Sequence, residues 1–347
     1  MITTRNPNQI SIKHREVNEY DLLKAYTIIL VVLAHVTRMY TGMGAISMPE
    51  NQILNWLTSY IYSFHMPLFV FISGGIYYIG KRIRKKYNNR KSFITNKAKR
   101  LLIPYFVFSL LLVFPVMIYI GNVNLSYIKY IILSYFLSLD PRHLWYVAML
   151  FCIFIVYDLF EKIIYSHPYL STLLLLSLNI CSSFIPGVFQ IHNITKYMLF
   201  FHLGYIYESK KQTLTIVNKR KTGGVIFGLL SFSLWFISIS TNEQINSIFY
   251  NNMLSAITAI AGIAFMVIFC INHKRKNLQI IQILSKDSYG IYLFHPMIIY
   301  VLFFHLKDYS ISPFWVTLIV FTVSFLFSYL LTQVIRKLRL QIIIGES

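Results

Sequence analysis

The feature that most constrains this chain is a recurrence of apolar runs about every 30 residues, most of them long enough for the ~20 residues that cross a bilayer core. Their edges are marked by Lys, Arg, Asn and Pro. With 56% apolar and only 13% charged residues, the composition excludes an ordinary soluble domain. The runs predict an all-α integral membrane protein of about ten transmembrane helices. They fall at 21–41, 54–79, 101–121, 143–165, 169–186, 194–208, 223–240, 251–272, 284–304 and 313–334. Residues 126–138 are apolar but shorter than a span, which predicts an interfacial or re-entrant segment within an external loop.

Basic residues set the orientation. Of 32 Lys and Arg, twenty-six fall in segments on the side of the N-terminus and four on the other, with Lys24 and Arg38 inside the first span. Loops rich in Lys and Arg stay in the cytoplasm, so both termini are expected there. Residues 1–20 then form a cytoplasmic segment without the features of a cleaved signal peptide, and 335–347 a cytoplasmic tail. The net charge of +20 follows from topology and attraction to anionic membrane lipids, and needs no nucleic-acid partner. Cys152, Cys181 and Cys270 lie in apolar spans without paired spacing, which predicts small buried hydrophobes rather than disulfides or a thiolate metal site.

Ionisable side chains inside a span are costly unless they face a protein interior or a wet cavity. In YDLLKAYTIILVVLAH, residues 20–35, Lys24 and His35 are eleven residues apart. They share a helix face roughly 16 Å apart along the axis, with Asp21 one turn before Lys24. That face either joins the two sides of the membrane, or Asp21 and Lys24 mark an interface while His35 bonds a neighbouring helix. Four more histidines, His65, His143, His202 and His295, fall inside spans or at their outer ends, and together suggest a polar interior. Ser288, Tyr292 and His295 lie on one helix face, although Ser288 also reads as a helix start. Without an H-E-x-x-H pattern and with few acidic partners in the spans, no metal is expected. Ser73-Gly74-Gly75 lacks a nucleophile elbow and reads as small residues at a close helix contact, with Pro67 kinking the same span. Before the third span, Lys97 and Arg100 are one turn apart if that helix has already begun. They suit either a lipid-headgroup anchor or a grip on a phosphate.

Five segments in order, DLLKAYTIILVVLAH, FHMPLFVFISGG, KAKRLLIPYF, HLWYV and SYGIYLFHP, resemble the membrane-bound acyltransferase-3 family, especially its fucose 4-O-acetylase-like branch. The resemblance covers nearly the whole chain and makes 21–334 a multi-span acyltransferase domain. It implies transfer of an acyl group, acetyl first among them, from cytoplasmic acetyl-CoA to a hydroxyl of an extracytoplasmic surface polysaccharide or lipid-linked sugar at the cell membrane. Capsule and exopolysaccharide are the expected acceptors. Lys24 and His35 match a pair that is usually Arg and His in the family. Lys supplies a point charge where Arg supplies a planar fork, which weakens Lys24 as a contact to phosphate. Lys97 and Arg100 match the family's two basic residues before the third span, and would hold coenzyme A phosphates.

His35 is the expected general base, since imidazole near neutral pH can take the hydroxyl proton and return it to the leaving thiolate. Asp21 is expected to pair with Lys24, while His65, His143, Tyr289 and His295 are expected to orient groups or stabilise an oxyanion. Succinyl or another acyl group is an alternative cargo. A polysaccharide exporter or flippase is the alternative from another class, since ten helices around a polar interior also suit transport.

Overall fold

The computed structural model describes residues 19–86, 89–123, 128–139, 141–211, 221–241, 247–273 and 279–346. Most of the predicted N-terminal segment, 1–18, and much of the basic stretches 208–222 and 273–286 lie outside the described residues. Among the described residues the chain is helical throughout, without a strand.

The helices are α1 (Glu19–Thr37), α2 (Gln52–Tyr78), α3 (Arg90–Phe108), α4 (Ile128–Phe136), α5 (Trp145–Ser166), α6 (Pro168–Ile180) and α7 (Ile191–Ser209), then α8 (Lys221–Thr241), α9 (Ile248–Asn272), α10 (Gln279–Leu306) and α11 (Pro313–Lys337). α3 continues through a wide π-type turn, Ser109–Val113, into Phe114–Tyr119. Polar residues start several of them. The side chain of Asn51 accepts from the Leu54 amide at 3.1 Å, and that of Asn89 from the Lys91 amide at 2.9 Å. Pro168 and Pro313 open α6 and α11, where a missing N–H costs nothing.

Among the described residues, seven helices are long and apolar enough to cross a membrane: those containing α1, α2 and α3, and α8, α9, α10 and α11. The other three expected spans are also helices, but each falls short in its own way. α5 carries Asp158, Glu161 and Lys162, and the thirteen residues of α6 reach only about 20 Å. α7 is diluted by Lys196, His192, Asn193 and His202. The leftover segment at 126–138 contains α4, nine residues long, whose Tyr135 carbonyl accepts from Tyr105 Oη at 2.6 Å.

α1 is the centre of the bundle, packed against α2, α9, α10 and α11. Thr27 and nine of its apolar residues are buried. α8 and α11 instead keep rows of Leu, Ile, Val and Phe exposed, as suits a lipid-facing surface. α2 and α7 approach backbone to backbone at paired glycines. A Cβ on Gly74 would fall 1.9 Å from the Phe201 carbonyl oxygen, and one on Gly204 1.9 Å from that of Phe71. Small residues are therefore required there, as expected for the Ser-Gly-Gly stretch.

Two expectations are corrected. Ser288 is not near a helix start: α10 begins at Gln279, and Ser288 Oγ donates to the Ser285 carbonyl at 2.9 Å in mid-helix. Cys181 is not a buried hydrophobe, since it lies just beyond the end of α6 and is exposed. Cys270 is buried and Cys152 partly so.

Candidate active site

A cavity of about 550 Å³ opens among α1, α2, α3, α5 and α10, near the start of α1. α1 supplies Asp21 and Lys24, α3 supplies Lys97 and Arg100, and α10 supplies Ser285, Lys286, Tyr289 and Tyr292. Arg100 is exposed, whereas Lys97 is buried, with Nζ 3.6 Å from the centroid of the Phe154 ring. α3 begins at Arg90, so Lys97 and Arg100 are one turn apart on formed helix. Asp21 Oδ1 accepts from Ser285 Oγ at 2.9 Å. Four cations against one lining carboxylate give the cavity a positive field, and such a concave site concentrates anions.

Further along the same helices is a cluster of four imidazoles. The ring of His35 is 5.0 Å from that of His295, and His295 is 6.4 Å from His143, centroid to centroid. Tyr62 joins His65 to the group, 4.8 Å from His65 and 6.2 Å from His35. His65, His143 and His295 are buried and His35 keeps some exposure.

Backbone partners set three of the tautomers. A carbonyl only accepts, so the ring nitrogen facing it carries the proton. His65 Nδ1 donates to Ile61 O at 2.8 Å, His295 Nδ1 to Ile291 O at 2.9 Å and His143 Nε2 to Leu293 O at 3.2 Å. His295 Nε2 and His143 Nδ1 are left as buried acceptors without a hydrogen-bond partner, and Nδ1 of His35 is likewise buried without one. Unsatisfied buried polar atoms cost roughly 1–3 kcal/mol each, and three within one cluster make it a candidate site.

Tyr292 connects the cavity to the cluster. It lines the cavity, its ring is 5.9 Å from His143 and 6.1 Å from His295, and its hydroxyl donates to the His143 carbonyl. Tyr146 stands beside it, 5.6 Å between centroids, with its hydroxyl 3.4 Å from Ser73 Oγ. The structure thus gathers the predicted residues into two adjoining groups. Asp21, Lys24, Lys97, Arg100 and Tyr289 line the cavity, and His35, His65, His143 and His295 form the cluster. His202 stands apart, bonded to Tyr157 Oη at 2.9 Å and Thr172 Oγ1 at 3.0 Å.

Sequence reasoning missed Tyr62 and Tyr146, because a tyrosine in an apolar span looks like interfacial packing until its neighbours are known. Lys286 was counted only as a topological charge. Among the described residues, no group of three or more His, Cys, Asp or Glu is arranged to hold a metal ion.

A family profile described as an acyltransferase domain matches residues 17–333. No curated protein and no solved structure matches the chain.

Proposed function

The chain belongs to the acyltransferase-3 family of multi-pass membrane proteins, and from that premise we propose that it transfers acetyl from cytoplasmic acetyl-CoA to a hydroxyl of a surface polysaccharide or its lipid-linked precursor. The observation that carries this reading is the contact, through Tyr292, between a cation-lined cavity and a buried histidine cluster. A cytoplasmic donor and an extracytoplasmic acceptor need one continuous polar path through the membrane, and the lengths of α1 and α10 supply both of its ends.

In this mechanism Lys97 and Arg100 hold the phosphates of coenzyme A, aided by Lys24 and Lys286, and the thioester reaches toward Tyr146 and Tyr292. His35 takes the proton of the acceptor hydroxyl as its oxygen attacks the thioester carbonyl carbon. The C–S bond breaks and the proton passes to the departing thiolate, leaving an ester and free coenzyme A. His65, His143 and His295 spend their single N–H on backbone carbonyls, so in the neutral state they can offer a substrate only an acceptor and do not donate to an oxyanion. Tyr289 lines the cavity and its hydroxyl donates to the Arg100 carbonyl at 3.4 Å, a long bond that it can exchange for one to an oxyanion.

The test pairs binding with chemistry. Purified protein should bind coenzyme A, and isolated glycan from cells expressing it should carry acetyl esters. Glycan missing from the surface altogether, together with an absence of coenzyme A binding, assigns the chain to polysaccharide export instead; succinyl esters on the glycan would change only the cargo.

A further inference from the structure

Beside the histidine cluster, at the opposite end of α1 from Lys24, lies a second, smaller cavity of about 60 Å³. Its lining includes Tyr62, Ser63, Asn179, Lys196, Asn252 and Ser255, a polar set contributed by α2, α6, α7 and α9. Tyr62 is shared between this cavity and the cluster, since its ring contacts both His35 and His65. Tyr62 Oη also accepts from Arg38 Nη1 at 3.3 Å.

Two cations therefore adjoin Tyr62, and neither is neutralised. Among the described residues no carboxylate lies within ion-pair distance of Arg38 or Lys196. Their neighbours are aromatic: Lys196 Nζ is 5.9 Å from the Tyr197 centroid, and Arg38 Cζ 5.5 Å from that of Tyr62. The backbone at Lys196 is held in place, because Asn179 Nδ2 donates to its carbonyl. Other cations of the bundle are paired. Lys81, Arg82, Lys211 and Arg336 are all matched to buried carboxylates. A half-buried lysine and arginine without such a partner, beside a polar cavity, are arranged for an anion that comes from elsewhere.

We propose that Lys196, Arg38 and Tyr62 form the acceptor subsite, and that it recognises a hydroxyl-bearing substrate by a neighbouring anionic group. The proposal rests on the acyltransferase reading above and adds the chemical class of the acceptor. About 60 Å³ is the share of roughly two water molecules, so the cavity takes one substituent and not a whole sugar ring. The anion seats there while the ring carrying the hydroxyl lies toward His35. This chemistry has two sources, the carboxylate of an acidic sugar in the polymer or the phosphate of a lipid-linked precursor.

Binding, which does not depend on transfer, is the measurement. Full-length protein in detergent is titrated with three probes: a short oligosaccharide containing glucuronic acid, its carboxyl-reduced neutral counterpart, and a short-chain prenyl diphosphate sugar. The expected result is that one of the two anionic probes binds about tenfold tighter than the neutral one, the worth of one charge-assisted hydrogen bond. Lys196→Gln should erase that difference and Lys196→Arg restore it, with coenzyme A binding as the check on folding. Preference for the uronate identifies an acidic glycan, and preference for the diphosphate identifies the lipid-linked precursor. Equal binding of all three probes by the wild type, or a preference that survives Lys196→Gln, overturns the proposal. Loss of acetyl transfer with the charge preference intact would instead sink the acyltransferase reading and leave this subsite standing.

Discussion

His35 illustrates how one residue's meaning depends on its neighbours. Its eleven-residue spacing from Lys24 set both on one face, but the spacing could not say what that face meets. The fold gives the answer: Lys24 lines the cation-rich cavity and His35 meets His295 and Tyr62. If His35 is the general base, His35→Ala should leave insertion and coenzyme A binding intact. Acetyl esters on the glycan should fall by roughly 10²- to 10⁴-fold, the range for removal of a positioned acid or base. His202→Ala should cost far less, because His202 is bonded to Tyr157 and Thr172 away from the cluster. The measurement is ester content at matched protein levels, and wild-type acetylation by His35→Ala would remove the mechanism. Single residues were legible where they broke a pattern, as a histidine or lysine breaks an apolar run. Tyr62, Tyr146 and Tyr292 break no pattern, and the wall they form depends on which helices adjoin.

At the scale of helices, two short motifs make separate demands. The basic pair midway along α3 has one buried member, Lys97, and one exposed, Arg100. Lys97 lies over Phe154, and a lysine turned inward over an aromatic ring is poorly placed to anchor a lipid headgroup. Replacing Lys97 and Arg100 together with Gln should raise the Michaelis constant for acetyl-CoA by about tenfold or more, with a smaller dependence on salt. A donor constant unchanged in a well-folded variant would return the pair to the lipid surface. The glycine pair between α2 and α7 is structural. Gly204→Ala places a methyl against the Phe71 carbonyl, and backbone cannot yield as a side chain can. We expect a loss of ~1–3 kcal/mol for such overpacking, read as a lower unfolding temperature in detergent. A Gly204→Ala protein as stable as the wild type would mean that the two helices separate at little cost. The Ser-Gly-Gly stretch announced this contact in sequence, but its partner Gly204, alone among LFFHLGY, did not. The ends of elements were less legible. α10 begins five residues before the expected span, since residues 279–283 are already helical and a span drawn from apolar runs does not mark where a helix starts.

For the whole molecule, the apolar runs located every helix but not how many cross the membrane. Among the described residues, length and composition single out seven, and α5, α6 and α7 are the three in question. The carboxylates of α5 have protein partners: Asp158 takes Lys81 and Tyr77, each at 2.7 Å, and Glu161 takes Arg82 and Tyr205. Carboxylates neutralised in this way can lie at membrane depth beside other helices, so hydropathy, which scores each residue without its partner, undercounts such spans. The distribution of Lys and Arg then predicts ten crossings with both ends in the cytoplasm. Single cysteines in a background lacking Cys152, Cys181 and Cys270 can test this with a membrane-impermeant thiol reagent on intact cells. Met43→Cys lies on the connection after α1, where the side chain is 76% exposed, and should be labelled from outside. Lys91→Cys, exposed at the start of α3, and Arg339→Cys, exposed after α11, should react only once the cells are opened. Those two sites also bound the count. With Met43 outside and both others inside, the stretch from Lys91 to Arg339 must cross an even number of times, which the seven apolar helices alone cannot supply, since five of them begin at or beyond Arg90. Labelling of Arg339→Cys from outside would mean an odd number of crossings over that stretch and would overturn the ten-helix topology. Labelling of Lys91→Cys from outside would overturn the orientation, and with it the cytoplasmic placement of the cavity that Lys97 and Arg100 line.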